Sequence, residues 1–340
     1  MAEIIEQSRI PKRTLVDGFK VPAIGLGTFG SDKYNSDQIA EAVYGGIRAG
    51  YRMIDCASVY QNENRIGESI ERVLKEGIVD RADLFITSKV WNDMHNRVKE
   101  SCEKSLKDLR VSYLDLYLVH WPFPNYHAPG CDGDSRNPDS RPFSVTEFLN
   151  TWRQCEALVE EGRVKYIGMS NMTVPKLRAV LPLCRIQPMF LEMELHPGFQ
   201  QPQLYDYALS QGIQPIGYCP IGSPSRPERD RTAEDISDTR MPEIMEIAEH
   251  HHVHPAMICL KWAAILVCFP DHLHLFHCQV KEYQYVDNLK CITEDPLTVE
   301  EMEMIRKADK NCRLIKGQVF LWPGATDWQD LWDVDGEITS

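Results

Sequence analysis

Short apolar runs alternate along this chain with longer stretches in which apolar residues recur every three or four positions. The short runs, at residues 23–26, 53–55, 84–88, 114–119, 167–169, 189–194 and 215–218, read as buried strands. Between them, Ile39/Val43/Ile47, Val98/Cys102/Leu106 and Phe148/Trp152/Leu158 carry the spacing of amphipathic helices. Ahead of these, residues 13–21 alternate around Asp17-Gly18, a strong hairpin signal. At least seven strand–helix alternations predict parallel strands with helical crossovers, either a doubly wound sheet or a closed (β/α)8 TIM barrel. Polar residues choose between them. Asp55, Lys89, His120, Ser170, Asn171, Glu194 and Tyr218 end or follow apolar strands. Polar groups from so many strand ends fit a barrel mouth better than the single crevice of an open sheet.

Length changes the picture little. At 340 residues the chain could hold two domains, but one α/β barrel takes about 250 residues and accepts insertions. No internal repeat or linker divides it, so a single domain is expected over residues 1–340, with an N-terminal tail at 1–12 and a C-terminal loop at 311–340. Residues 125–141 and 223–239, rich in Pro, Gly, Ser and charge, read as long loops over the mouth. The net charge of −13 gives no electrostatic reason to approach nucleic acid or an anionic membrane, and neither is expected as a partner. The N-terminus carries acids where a signal peptide needs a basic region, and no apolar run reaches about 18 residues, so a cytoplasmic protein is expected. Eleven cysteines without a dense framework read as reduced thiols.

The chemistry begins with Gly25-Leu26-Gly27-Thr28-Phe29-Gly30, which matches G-x-G-x-x-G. A dinucleotide site of that type needs an apolar helix to follow, and a polar loop follows instead. A second cluster says more: Asp55 ends a strand, Tyr60 lies five residues on, and Lys89 and His120 close the next two strands. Singly, these are a helix cap, a loop anchor, a solvated lysine and a core histidine. Together they make a proton donor. A lysine ammonium stabilises the tyrosine phenolate and lowers its pKa, a carboxylate holds the ammonium, and a neutral imidazole orients a carbonyl oxygen. The set contains no source of electrons, so a bound reductant must supply them.

Tyr51-Arg52-Met53-Ile54-Asp55-Cys56-Ala57-Ser58-Val59-Tyr60-Gln61-Asn62-Glu63 resembles the signature of the aldo-keto reductases. So do Leu114-Asp115-Leu116-Tyr117-Leu118-Val119-His120-Trp121-Pro122, Gly162-Arg163-Val164-Lys165-Tyr166-Ile167-Gly168-Met169-Ser170-Asn171 and Glu194-Leu195-His196-Pro197. The likeness runs in family order from about residue 13 to about residue 310. It implies a (β/α)8 barrel whose C-terminal tail folds over the mouth, and reduction of a small-molecule aldehyde or ketone, including sugar aldehydes, by NADPH, with NADH as the alternative cofactor. By motif, Tyr60 is the general acid, Lys89 and Asp55 tune it, and His120 orients the carbonyl. Gly27, Thr28 and Asp55 match positions near the nicotinamide, Ser170 and Asn171 its carboxamide ligands, and Tyr218 the ring that stacks on it. Ile221 and Ser223 fall in the loop that covers the pyrophosphate. Asp287 and Asn288 match the adenine contacts, and Phe29, Trp91 and Trp121 the substrate walls. A monomer or weak oligomer is expected.

Three departures stand out. Glu192 replaces a glutamine that usually holds the carboxamide, and a carboxylate can accept but not donate. Cys219 replaces a serine near the pyrophosphate. The clamp for the NADPH 2′-phosphate is missing, with Cys278, Gln279 and Gln284 at its positions and Lys281 as the nearby cation that could replace it. Residues 264–280 look divergent. Cys268, His272, His274, His277 and Cys278 lack zinc-motif spacing, so no metal is expected there, and His250-His251-His252-Val253-His254 reads as a solvated helix end. Tail residues Trp322, Trp328 and Trp332 either line the mouth or pin the tail outside it. The intact tetrad argues for an enzyme; the eroded clamp argues for a non-catalytic binding or regulatory subunit.

Overall fold

A computed structural model describes residues 4–30, 33–127, 137–224, 226, 231–265, 275–278 and 285–339, with backbone alone for 265 and 275–278. The chain starts with a hairpin, β1 (Lys12–Thr14) and β2 (Lys20–Pro22). Eight parallel strands follow, interleaved with helices: β3 (Ile24–Gly27), β4 (Met53–Asp55), β5 (Phe85–Val90), β6 (Leu114–Val119), β7 (Val164–Ser170), β8 (Phe190–Glu194), β9 (Gln214–Tyr218) and β10 (Leu275–Cys278). They close in the order β10-β3-β4-β5-β6-β7-β8-β9, a (β/α)8 TIM barrel. β10 closes it by pairing Phe276 with both Ile24 and Gly217.

Side chains on a strand alternate between faces, so the lumen can be read off every second residue. Met53, Phe85, Leu116, Leu118, Phe190 and Ile216 form one buried cluster in the barrel interior. Continuing the same parity toward each strand's C-terminal end gives Asp55, Lys89, His120, Glu192 and Tyr218. Each of these five strands thus starts apolar and ends polar on its inner face. Leu15 and Val21 from the hairpin join the apolar cluster, so the hairpin plugs the bottom and leaves the polar end as the mouth. The turn is longer than the Asp17-Gly18 signal suggests: Leu15 N–H donates to Phe19 O at 2.8 Å, and Gly18 takes φ +87°.

Beneath the barrel, Asp115 at the start of β6 is buried and accepts from Arg81 Nη2 at 2.8 Å, Lys165 Nζ at 2.8 Å and Ile86 N at 3.0 Å. It therefore joins the lower ends of β5, β6 and β7. The outer core packs helices on strands: Val43 and Ile47 of α1 (Ser36–Ala49), Ile66 and Ile70 of α2 (Glu63–Lys75), Val98 and Cys102 of α3 (Val98–Asp108), and Phe148 and Trp152 of α4 (Val145–Glu160). α5 (Val174–Val180) and α6 (Pro202–Ser210) continue the ring, with α7 (Pro242–His250), α8 (Pro255–Ile265), α9 (Tyr285–Thr293) and α10 (Val299–Lys307) after them. α10 starts with Thr298 and Glu301 in a reciprocal capping box, as its sequence predicts.

The structure adds detail at two places. The N-terminal tail packs down, with Ile5 and Ile10 buried in the outer core and Ile5 N–H donating to Ala49 O at 2.9 Å. Lys89 lies inside β5, not beyond it: its backbone pairs with Leu118 while its ammonium finds carboxylates in the lumen. Of the divergent segment, Cys268, His272, His274, Gln279, Lys281 and Gln284 lie outside the described residues. Among the described residues no helix is long and apolar enough to cross a membrane.

Candidate active site

Lys89 occupies the centre of the mouth and is fully buried. Its Nζ donates to both oxygens of Asp55 at 2.6 Å and to Cys56 O at 3.1 Å, and lies 3.5 Å from Glu192 Oε1. Burial alone would favour the neutral amine. Asp55, then Glu192 and Tyr60, outweigh it and hold Lys89 above the usual lysine range, so it stays charged.

Tyr60 ends a 3-10 turn, Ser58–Tyr60, that follows β4 and is tied to β5 by Ser58 Oγ donating to Lys89 O at 3.1 Å. The Lys89 ammonium lies 5.4 Å from the centre of the Tyr60 ring. The sequence argument expects a lowered phenol pKa; the structure reverses the net direction. Burial raises it, Lys89 pulls it down, and Asp55 and Glu192 push it up again, so the phenol is held above its ordinary value. The lysine acts in the expected sense but is outweighed by burial and by two carboxylates. Tyr60 is consequently a firmly protonated donor, able to release its proton to a base stronger than phenolate.

His120 follows β6 directly, with its ring 5.8 Å from that of Tyr60 at 80° and 5.0 Å from that of Trp91 at 73°. Burial and then the Lys89 charge depress its pKa well below the usual histidine value, leaving a neutral imidazole. Its Nδ1 has no hydrogen-bond partner among the described residues, and neither has Glu192 Oε2. Such buried orphans are the atoms that a polar ligand would satisfy.

A second group adjoins the first. Asn171, at φ +57°, turns its side chain so that Nδ2 donates to His120 O at 2.8 Å while Oδ1 accepts from Tyr218 Oη at 2.6 Å. Ser170 Oγ accepts from the same Nδ2 at 3.1 Å. Thr28, beside Gly27 at the end of β3, donates to Asp55 O at 2.8 Å, and Asn62 locks Thr28 O at 2.8 Å. Tyr218 is half-buried, so its ring keeps an open surface beside a fixed amide. Ile221 and Ser223 sit in the loop after β9, half-buried. Asp287 and Asn288 are on α9, which packs against α1 and α8.

The walls are aromatic. Phe29 is exposed, with its ring 5.3 Å from Tyr60. Phe320 in the tail lies 4.5 Å from Trp121 and 5.8 Å from Trp91, and Trp332 lies 5.7 Å from Trp121. The tail thus crosses the mouth and contributes to its lining, which resolves the alternative for Trp332. Three anchors hold it. Glu194, at the top of β8, accepts from Leu314 N at 2.7 Å and Ile315 N at 3.1 Å. Arg313 Nη2 donates to Gln201 Oε1 at 3.0 Å while its guanidinium stacks 3.3 Å over the Trp332 ring. Lys176 of α5 pairs with Asp333 at 2.6 Å, both fully buried. His196 adds a buried ionic group, 3.0 Å from Glu194 and 2.7 Å from Asp238. Sequence reasoning singled out the tail's tryptophans but missed Phe320, Arg313 and Asp333, whose partners Trp121, Gln201 and Lys176 lie more than a hundred residues away and leave no local pattern.

The chain is similar to known proteins along most of its length. The family model described as "Aldo/keto reductase family" matches residues 23–310. The chain is 36% identical to the NADPH-dependent D-xylose reductase of Candida boidinii, covering 89% of this chain and 94% of that protein. It is 35% identical to the aldo-keto reductase family 1 member A1 of Gallus gallus, covering 88% and 89%. A crystal structure of a Bombyx mori aldo-keto reductase in complex with NADP superposes with a TM-score of 0.76 at 29% identity, covering 90% of this chain and 95% of that one.

Proposed function

Since the chain belongs to the aldo/keto reductase family, we propose that it reduces an aldehyde or ketone to the alcohol with Tyr60 as proton donor. NADPH, when bound, supplies the hydride. The residues fit its nicotinamide end: the open Tyr218 ring beside Asn171, and the orphaned Glu192 Oε2 for the carboxamide. The choice of NADPH over NADH rests on relatives named for it, the xylose reductase and the NADP-bound insect protein. Relatives also favour a sugar or other small aldehyde as substrate.

In this reading the carbonyl oxygen lies between Tyr60 Oη and the neutral His120 ring, and His120 orients it. Tyr60 stays protonated until the oxygen gains alkoxide character, then donates O–H. Lys89 stabilises the phenolate left behind, and Asp55 keeps Lys89 charged and in place. Solvent restores the phenol. The observation that carries the proposal is the buried, doubly held Lys89 ammonium against the Tyr60 ring. A purely binding barrel would have no use for so costly a buried charge at its mouth. Tyr60→Phe should lower kcat by about 10²–10⁴-fold while tryptophan-fluorescence titration shows NADPH binding retained. A variant within a factor of a few of wild type would mean that the proton comes from elsewhere.

A further inference from the structure

We propose that His250, His251 and Glu301 form a zinc-type divalent metal site that clasps the end of α7 to the start of α10, outside the barrel. Their ligand atoms lie within 4.8 Å of one another. His250 Nδ1 is 2.9 Å and His251 Nε2 3.0 Å from the same oxygen, Glu301 Oε1. A zinc ion with bonds of about 2.0–2.2 Å joins ligand atoms at such separations with small side-chain shifts. One carboxylate and two imidazoles suit zinc, and water completes the tetrahedron.

The neighbours are arranged around that role. Asp295 Oδ2 sits 2.5 Å from His251 Nδ1, so that ring keeps a proton on Nδ1 when Nε2 gives up its own proton to bind a metal beside Glu301. A carboxylate behind a ligating imidazole is the usual outer partner of a zinc histidine. Glu301 Oε2 is occupied by Thr298 N at 2.8 Å, which leaves Oε1 for the metal. Lys261 donates to Glu294 O at 2.8 Å and to Asp295 O, and its Nζ lies 3.7 Å from Asp295 Oδ2, which keeps that carboxylate in the outer position. Glu301 is buried at the helix junction and the His251 side chain is turned mostly inward there, whereas the His250 side chain is 74% exposed and offers the entry path. On binding, the metal replaces the protons that bridge the imidazoles to Glu301, and these leave to solvent. The sequence shows only a run of histidines at a helix end; Glu301, fifty-one residues from His250, turns it into a ligand set.

Isothermal titration of ZnCl2 into the EDTA-treated, dialysed full-length chain should show one ion per chain, with the thermal transition raised by a few degrees in excess zinc. His250→Ala alters an exposed residue, and Glu301→Gln retains a capping-box side chain, so both should fold as judged by circular dichroism. Each should weaken binding at least tenfold, and Asp295→Asn about 10–100-fold. Carbonyl reduction should be the same with and without zinc. Absence of zinc binding, or equal affinity in the wild type and both ligand variants, overturns the site.

Discussion

Glu192 Oε1 lies 3.5 Å from Lys89 Nζ, so the ammonium that serves Tyr60 is shared between two buried carboxylates, Asp55 and Glu192. Burial, with Asp55 adding to it, pushes the Glu192 carboxyl up to about 8 against the pull of Lys89. Below that pH the neutral acid can donate O–H to a carboxamide oxygen; above it the carboxylate can only accept. NADPH affinity should therefore fall as pH rises through about 8. Glu192→Gln, which donates at every pH, should flatten the profile. Fluorescence titrations from pH 6 to 9.5 that gave parallel slopes for the two proteins would refute this role.

Removing the shared cation should be costly. Lys89→Met leaves the buried Asp55 carboxylate without its counter-charge beside a Glu192 carboxyl that is neutral below about pH 8, a change expected to destabilise the fold by about 3–5 kcal/mol. Urea denaturation measures it. A loss below about 1 kcal/mol would mean that solvent reaches the pair and that the mouth is wetter than the burial of Lys89 implies.

His196 should make the fold sensitive to alkali. Burial lowers its pKa, but Asp238 and then Glu194 outweigh burial and raise it to about 9. A histidine raised from about 6.5 contributes on the order of 3 kcal/mol, fully present below pH 6.5 and lost as pH climbs through about 9. Denaturation midpoints between pH 6 and 10 should fall over that window in the wild type and lack that fall in His196→Gln.

The tail should be separable from the chemistry. Asp333 takes Lys176 at 2.6 Å and the Thr173 hydroxyl, and Lys176 also donates to Leu331 O at 2.9 Å. Asp333→Ala removes the clasp without touching Tyr60, Lys89 or His120. It should raise KM for carbonyl substrates more than it lowers kcat, and speed tryptic cleavage within residues 311–339. An unchanged KM would show that Phe320 and Trp332 hold the mouth without that ion pair.

Much of the barrel was legible because inward parity and apolar-to-polar progression leave a mark in sequence: 53–55 and 114–119 are strands with those bounds, and Asp55, Lys89 and His120 meet as their positions at strand ends imply. Other features depend on distant partners. The net direction of the Tyr60 pKa follows first from burial, with Asp55 and Glu192 adding to it against Lys89, and burial at the mouth is a matter of barrel closure and not of spacing. The anchoring of the tail needs Glu194 and Lys176 to meet residues 314 and 333. The hairpin was visible, yet its work as a plug was not, because Leu15 and Val21 acquire their neighbours only once the strands have curled around them.

The buried Asp115 carries a practical consequence. By tying Arg81, Lys165 and the Ile86 amide at the lower rim, it fastens three adjoining strands at the end opposite the reactive groups. Engineering can exploit that division of labour: the upper connections offer themselves for grafting and randomisation, whereas libraries are best built with Asp115 held fixed, since any replacement strands the Ile86 amide and two cations at once.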